Sequence, residues 1–231
     1  MSDCTFTRTA NAGGLLTLDG VRILLDGVSR EVGDYLPTPE SVEAELLETG
    51  LDLMAFTHAH ADHFSPDFVR RYGQRRTLPP LLGPVSAALP GCPVMDGETR
   101  IGPVRVTPVP SRHMGDARRE ILHWSFILSG SRCVWFLGDA SPAQWRSRPD
   151  LPGPDVLIAP FPYGGTEAAW RIVDALSPET VVLVHLPHPE RDSAALWPPV
   201  RQTVAHHPER TVFIPEIGET VRLDGQHIPY N

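Results

Sequence analysis

The chain has 231 residues, of which 41% are hydrophobic and 21% charged, so it can bury a substantial core and does not have a disordered composition. Its formal net charge of −8 argues against a nucleic-acid-binding protein, because such proteins use basic residues to neutralise phosphates. No window approaches the run of roughly 18 apolar residues that a membrane span requires, and the first residues lack the pattern of a secretory signal. We therefore expect a cytoplasmic protein that acts on a small molecule, with neither nucleic acid nor membrane as a partner. The sequence does not determine whether it forms an oligomer.

The three cysteines, Cys4, Cys92 and Cys133, are scattered along the chain and form no C-x-x-C pair. This usage predicts neither a disulfide framework nor a zinc site built from thiolates. Any bound metal must then be held by histidine and carboxylate side chains.

The first part of the chain is predicted to form a hairpin, a helix and a strand. Residues 15–18 and 21–25 are apolar and rich in β-formers, and Asp19 and Gly20 between them suit a tight type I′ turn. A short helix is predicted over residues 39–48, with Thr38 as the candidate N-cap. Residues 51–56 are typical of a buried strand, and a histidine-rich segment begins where that strand ends.

The second part of the chain changes from hairpin-like strands to strand–helix alternation. Strands are predicted over residues 104–109, 121–128, 132–137, 155–159, 181–185 and 211–214, with a last β segment near Val221 and helices over residues 167–176 and 193–206. This order predicts an α/β protein in which two sheet-plus-helix layers pack face to face. We expect a single domain over residues 1–231, made of two similar halves at roughly 1–110 and 111–231.

Residues 57–63 read Thr-His-Ala-His-Ala-Asp-His and carry the strongest chemical signal in the sequence. His58 and His60 stand two residues apart at the end of a predicted strand and therefore point to the same side. Asp62 and His63 fall in the next turn and can converge on a neighbouring point. This spacing can serve two metal ions.

Four ligands cannot complete two metal sites, so further ligands should follow other strands, where loops gather over the edge of a sheet. His113, Asp139 and His185 each lie just beyond a predicted strand. Singly, each would be an ordinary residue of a turn or sheet end. Together, in this order, they are candidates for the remaining ligands.

The H-x-H-x-D-H run followed by a later His, Asp and His resembles the metallo-β-lactamase fold superfamily over nearly the whole chain. Within it, residues 14–26 and 155–166 are similar to the opening hairpin and the strand and glycine loop of the L-ascorbate-6-phosphate lactonase-like branch. The resemblance implies a four-layer αββα sandwich of the metallo-β-lactamase type and a dinuclear metal-dependent hydrolase. It also implies a ligand set with one ion on His58, His60 and His113, a second on Asp62, His63 and His185, and Asp139 as the bridge.

The implied reaction is a hydrolysis in which a hydroxide that bridges the two metal ions attacks a carbonyl or phosphoryl centre. The substrate would be small and anionic, of lactone or ester type. Zinc is the expected metal, and histidine and carboxylate ligands also accommodate manganese or iron. Asp62 is the candidate catalytic residue, because its carboxylate would lie against the nucleophilic water and can accept a proton.

Two other functions remain open at this point. One is a small-molecule phosphodiesterase of the same fold, and the other is a non-catalytic, metal-stabilised binding or accessory protein. Flavodiiron members of the superfamily, which carry out redox chemistry, usually have Glu where His60 stands, so the sequence favours hydrolysis over redox chemistry.

Three further residues are candidate substrate contacts. Tyr163 and Thr166 lie where a strand gives way to a helix, whose first N–H groups can receive an anion, although Thr166 suits a helix cap equally well. His188 follows His185 by three residues in a proline-bounded loop, within reach of a site at the strand end. His123 lies inside a predicted strand, which favours a structural role.

Overall fold

The computed structural model describes residues 3–85, 89, 94–95, 97–115, 121–146, 148 and 150–224. The strands are β1 (Cys4–Arg8), β2 (Gly14–Leu18), β3 (Val21–Leu25), β4 (Leu53–Ala55), β5 (Leu81–Leu82), β6 (Val94–Met95), β7 (Thr99–Ile101), β8 (Val104–Arg112), β9 (Leu122–Ser129), β10 (Cys133–Phe136), β11 (Val156–Pro160), β12 (Thr180–Val184), β13 (Thr211–Phe213) and β14 (Thr220–Arg222). The α-helices are α1 (Glu40–Glu48), α2 (Pro66–Arg75), α3 (Glu167–Leu176) and α4 (Trp197–His206).

The strands form two seven-stranded sheets of similar construction. The first has the order β14-β1-β2-β3-β4-β5-β6 and the second the order β13-β12-β11-β10-β9-β8-β7. In the first sheet the pairs from β14 to β3 are antiparallel and those from β3 to β6 parallel. In the second, the pairs from β7 to β10 are antiparallel and those from β10 to β13 parallel.

The chain passes from the first sheet to the second before residue 110, and the division into two halves near that residue stays a prediction. Residue 110 lies inside β8, which already belongs to the second sheet together with β7. The chain therefore changes sheets before Thr99, and its last described strand, β14, returns to pair with β1 in the first sheet. A single domain over residues 1–231 stays a prediction.

Three clusters of buried side chains define four layers, as the resemblance implies. Between the sheets lies a core to which both contribute, including Phe6, Leu16 and Ile23 from one and Phe126 and Phe136 from the other. A second cluster packs α1 and α2 on the outer face of the first sheet, and a third packs α3 and α4 on the outer face of the second. The order helix, sheet, sheet, helix is the predicted αββα sandwich.

The predicted hairpin and one predicted helix are confirmed. β2 and β3 pair from Gly14–Leu25 to Leu18–Val21, and the turn residues Asp19 and Gly20 have φ values of 53° and 79°. Positive φ at both positions is what a type I′ turn requires. The helix over residues 167–176 has the predicted bounds.

One predicted helix cap and one predicted helix start are wrong, because side chains form other hydrogen bonds. Thr38 does not cap α1; Pro39 stands at the N-cap position, and the Thr38 hydroxyl accepts a hydrogen bond from the Ser29 N–H at 2.9 Å. The helix expected over residues 193–206 begins at Trp197, because the Asp192 carboxylate accepts hydrogen bonds from the N–H groups of Leu196 and Trp197.

The structure bears on two further predictions, one about membrane spans and one about the cysteines. Within the described residues, no helix is both long and apolar enough to cross a membrane. Cys4 is buried and Cys133 partly buried, and both are free thiols, while Cys92 lies outside the described residues.

Candidate metal centre

The structure brings all seven predicted ligands together beyond the ends of β4, β8, β10 and β12. Their ligand atoms fall into three groups, each within 4.8 Å: His58, His60 and His113; His58, His63 and Asp139; and Asp62, His63 and His185. The middle group shares one histidine with each of the other two. The seven side chains therefore form one continuous cluster.

Asp139 lies at the centre of this cluster. Its Oδ2 is 3.3 Å from Nε2 of His113 and 3.4 Å from Nε2 of His63, and its Oδ1 is 3.4 Å from Nε2 of His185. Burial raises the pKa of Asp139, but the neighbouring imidazoles, His185 foremost, outweigh burial and hold the pKa well below its ordinary value. Asp139 is therefore an ionised carboxylate positioned between the two outer groups.

The backbone that carries Asp139 requires glycine at position 138. Gly138 has a φ of 52°, and a Cβ there would lie 2.5–2.7 Å from the side-chain atoms of Thr57. Both the left-handed conformation and the close approach of Thr57 exclude a side chain. This lets the loops after β4 and β10 meet.

A fully buried carboxylate that the sequence analysis did not single out, Asp26, supports the histidine-rich segment. Its Oδ1 accepts a hydrogen bond from the Thr57 N–H at 2.8 Å, and its Oδ2 accepts from the Thr57 hydroxyl at 2.6 Å and from Nδ1 of His63 at 2.8 Å. Asp26 follows β3, which runs parallel to β4, so the two strand ends are neighbours. That adjacency is the signal by which it could have been found.

These hydrogen bonds set which ring nitrogens carry protons. His63 donates from Nδ1 to Asp26, so its Nε2 is unprotonated in the neutral ring. The Thr57 hydroxyl uses its proton on Asp26 and can only accept from Nδ1 of His58, at 3.0 Å. Nε2 of His58 is then unprotonated too, and both nitrogens are available as ligands.

The donor atoms of the cluster fit divalent metal ions. Nε2 of His58 is 2.9 Å from Nδ1 of His60, and Nε2 of His63 is 3.1 Å from Nε2 of His185. Nδ1 of His113 donates to the Met114 carbonyl, and Nε2 of His113 and Oδ1 of Asp139 are buried without a hydrogen-bond partner among the described residues. Converging imidazole nitrogens and carboxylate oxygens with spare lone pairs are the ligands that zinc, manganese and iron accept.

His185 is held in a strained backbone conformation by the loop that follows β1. Its φ of 65° is unusual for a residue other than glycine. Its N–H donates to the Asn11 carbonyl at 2.9 Å, and its Nδ1 lies 3.2 Å from the Asn11 side-chain amide. The buried guanidinium of Arg8 donates to the carbonyls of Asn11 and Leu186, on either side of this contact.

His123 is buried in β9 and forms a hydrogen bond with the backbone of Asp139. Its Nε2 accepts a hydrogen bond from the Asp139 N–H at 3.0 Å, so its Nδ1 carries the proton and donates to the Ser111 hydroxyl at 2.7 Å. Ser111 contacts the Ser125 hydroxyl at 3.0 Å, which donates to the Leu137 carbonyl at 2.9 Å. Burial lowers the pKa of His123 to about 3, so the imidazole is neutral.

The three candidate substrate contacts do not join the ligand cluster. Tyr163 is fully buried and its hydroxyl donates to the Ala140 carbonyl at 3.0 Å. Thr166 caps α3 by accepting from the Ala169 N–H at 3.2 Å. His188 is half exposed, and its Nδ1 accepts from the Glu190 N–H at 3.4 Å. A substrate contact by these residues stays a prediction.

A further group of possible ligands, Asp174, His207 and Glu209, lies on the surface near α3 and α4. His207 is already paired there, with its Nε2 3.2 Å from Glu167 and its Nδ1 3.3 Å from Glu209. Its ring also stacks on Trp170, with 4.8 Å between the ring centroids. This group is separate from the buried cluster.

The family is shown by a match along most of the sequence. The model of the β-lactamase superfamily domain matches residues 22–186, a range that includes all seven residues of the cluster. The chain belongs to the β-lactamase superfamily. No curated protein matches the sequence.

Solved structures share the fold of this superfamily member. Igni18, a metallo hydrolase from the hyperthermophilic archaeon Ignicoccus hospitalis, is 21% identical with a TM-score of 0.69, over 95% of this chain and 97% of its own. An isothiocyanate hydrolase from Delia radicum gut bacteria is 17% identical with a TM-score of 0.67, over 94% and 98%. CmlA, a diiron β-hydroxylase from Streptomyces venezuelae, is 19% identical with a TM-score of 0.69, over 96% of this chain and 54% of its own. Such low identities show a shared fold and leave the activity open.

Proposed function

We propose that this member of the β-lactamase superfamily is a metal-dependent hydrolase with a dinuclear centre that cleaves a small anionic substrate of ester or lactone type. One ion would be held by His58, His60 and His113, and the other by Asp62, His63 and His185. Asp139 would be shared between them.

The observation that carries this proposal is the position of Asp139. Its two carboxylate oxygens lie 3.3–3.4 Å from Nε2 atoms of both outer groups, His113 on one side and His63 and His185 on the other. A carboxylate between two sets of imidazole side chains would be suited to hold two ions at once.

Divalent ions in such a site supply Lewis acidity and lower the pKa of a bound water to about 7. The residues around them would orient the substrate and handle protons. Burial raises the pKa of Asp62, but interaction with His185, at 3.4 Å from Nε2 to Oδ2, outweighs it and leaves the pKa below its ordinary value. Asp62 is thus ionised at neutral pH and can accept a proton from water or substrate.

The charge of the loaded centre favours an anionic substrate. Two divalent ions would bring four positive charges, and the carboxylates of Asp62 and Asp139, the two acidic residues of the proposed ligand set, would offset two of them. A positive surplus in a largely buried site attracts a carboxylate or phosphoryl group. Zinc is the expected metal, and a cytoplasmic protein without nucleic-acid or membrane partners remains our expectation.

The test is turnover by purified, zinc-loaded protein on a panel of lactones, carboxylic esters and phosphodiesters. We expect hydrolysis of lactones or esters that is lost in His58→Ala and Asp139→Asn. The matched control is His206→Ala, which removes an exposed histidine paired with Glu167. Cleavage confined to phosphodiesters would reassign the protein as a phosphodiesterase. A folded, metal-loaded protein inert across a broad metabolite panel would favour the accessory role.

A further inference from the structure

Tyr35 lies against the metal centre from a loop that the sequence analysis did not single out. Its ring meets the His185 ring edge to face, with 4.6 Å between centroids and an interplanar angle of 87°. The Phe161 ring lies 6.4 Å from the same imidazole. Besides the His63 ring, the His185 ring is therefore contacted by the side chains of Tyr35 and Phe161, and of these Tyr35 carries a hydroxyl.

The backbone holds Tyr35 in place. Residues 32–35 form a tight turn with Gly33 at a φ of 56°, closed by Val32 N–H to Tyr35 carbonyl at 3.1 Å and Tyr35 N–H to Val32 carbonyl at 2.9 Å. Two residues earlier, the Arg30 N–H donates to the Ala61 carbonyl at 2.7 Å, next to Asp62. The turn is thus tied to the histidine-rich segment.

The same turn is also tied to the loop that follows His185. Arg191 pairs with Glu31 at 2.5 Å, and the Ser193 hydroxyl donates to Asp34. Tyr35 therefore lies between two loops that carry ligands of the Asp62 and His185 side of the centre. Its position depends on contacts made by its neighbours on both sides.

The Tyr35 hydroxyl is a donor that the protein leaves unused. The side chain is partly exposed, and no hydrogen bond of its hydroxyl occurs among the described residues. A neutral phenol can donate to a ligand oxygen, and tyrosine is suited to such a role because its ring is rigid.

We propose that Tyr35 is a substrate-binding residue whose hydroxyl donates a hydrogen bond to an oxygen of the anionic group bound beside His185. This rests on the proposed function for the identity of the ligand, but not for the contact between the Tyr35 and His185 rings. The competing explanation is that the ring only packs against His185 and fixes its orientation. The two differ in what Tyr35→Phe does, since phenylalanine keeps the ring and removes only the oxygen.

The test measures binding of inorganic phosphate to zinc-loaded protein by calorimetry, alongside zinc affinity and turnover. We expect Tyr35→Phe to weaken phosphate binding about tenfold or more, because hydrogen bonds to charged groups are among the stronger ones. The zinc affinity of Tyr35→Phe should stay within about twofold of wild type. Tyr35→Ala, which also removes the ring contact with His185, should bind zinc more weakly than Tyr35→Phe. For any substrate that the wild type hydrolyses, Tyr35→Phe should raise KM.

The matched control is Tyr72→Phe, which makes the same chemical change at a remote site. The Tyr72 hydroxyl donates to the Thr49 carbonyl at 2.8 Å and accepts from the Leu51 N–H at 2.9 Å. It should lower stability and leave phosphate affinity unchanged. Equal phosphate affinity in wild type and Tyr35→Phe, or equal losses in both tyrosine variants, would overturn the proposal.

The outcomes also separate this inference from the proposed function. If the wild type hydrolyses none of the panel substrates but Tyr35→Phe binds phosphate more weakly than wild type, the binding role of Tyr35 is supported and the hydrolase proposal fails. If the wild type hydrolyses a substrate and Tyr35→Phe has the same KM and the same phosphate affinity, the role of Tyr35 is refuted and the hydrolase proposal is unaffected.

Discussion

His63 donates its Nδ1 proton to the carboxylate of Asp26 across 2.8 Å, and both side chains are fully buried. This contact joins the end of β3 to the histidine-rich segment after β4. It directs Nε2 of His63 toward the cluster, 3.1 Å from Nε2 of His185. A carboxylate that orients a histidine in this way also increases its strength as a ligand.

Replacing Asp26 should therefore weaken metal binding although Asp26 is not itself a ligand. We expect Asp26→Asn to lower zinc affinity roughly 10- to 100-fold, because the amide cannot match the carboxylate as an acceptor for both His63 and Thr57. Competition with a chromophoric chelator measures the affinity. Asp67→Asn, which alters an exposed carboxylate of α2, is the control and should bind zinc like wild type. Equal affinities in the two variants would contradict the role of Asp26.

The two outer groups should lose their ions separately. We expect two zinc ions per wild-type chain, one fewer in His60→Ala and one fewer in His185→Ala. Binding of both should weaken in Asp139→Asn, since the Asp139 carboxylate lies between the two outer groups. Elemental analysis after dialysis gives the counts. His207→Ala tests whether the surface group holds an ion, and it should leave the count at two. A single ion in wild type would refute the dinuclear centre.

Metal removal should lower thermal stability. The ions would bind only the folded state, and free metal at 100 times its dissociation constant adds about 2.7 kcal/mol of stability per site. We expect EDTA to lower the Tm of zinc-loaded wild type and to have much less effect on Asp139→Asn. Calorimetric scans with and without chelator measure this. Identical Tm values for wild type in both conditions would show that no metal is bound at the centre.

His123 should position Asp139. His123→Ala removes the acceptor for the Asp139 N–H, and we expect zinc affinity to fall roughly tenfold. His123→Gln keeps an acceptor and should recover part of that loss, which a purely space-filling role would not predict. Chelator competition on both variants decides between the two explanations.

The same histidine should make the metal-free protein sensitive to acid. Burial lowers the pKa of His123 from 6.5 to about 3, so between these values the unfolded chain binds more protons than the folded one. The stability that His123 contributes is thus complete above pH 6.5 and is lost as the pH falls toward 3. Urea unfolding in EDTA from pH 7 to 4 should show a shallower decline in His123→Gln, which carries no titrating ring. Parallel curves would contradict this assignment.

Arg8 should be essential to the stability of the fold near His185. Its buried guanidinium donates to the carbonyls of Ala10, Asn11, Leu186 and Pro215 at 2.9–3.2 Å. Lysine carries three N–H donors on one nitrogen atom and cannot bond all four carbonyls. We therefore expect Arg8→Lys to lower the free energy of unfolding by about 2 kcal/mol or more. Arg70→Lys, at an exposed position of α2, should change it by less than about 0.5 kcal/mol. Urea denaturation compares them.

The sequence by itself determined most of the local elements and pointed to the seven candidate ligands that the structure brings together. The Asp19-Gly20 turn depends on backbone preferences of two adjacent residues, and His58 and His60 share a side because of their spacing at a strand end. His113, Asp139 and His185 could be found because each follows an apolar strand. Such signals survive in sequence because they involve near neighbours.

Only the tertiary structure decided how those ligands are supported and what else faces them. Asp26 contacts His63, His123 contacts Asp139 and Tyr35 contacts His185, although these pairs are 37, 16 and 150 residues apart in sequence. Such contacts form only when distant strands and loops pack together, so they leave no local pattern in the sequence. The start of α4 and the failure of Thr38 as a cap have the same cause, since the competing hydrogen bonds form only once the loops have packed. Residue type and local spacing therefore identified the candidate ligands, and the packing of distant segments determined which side chains contact them.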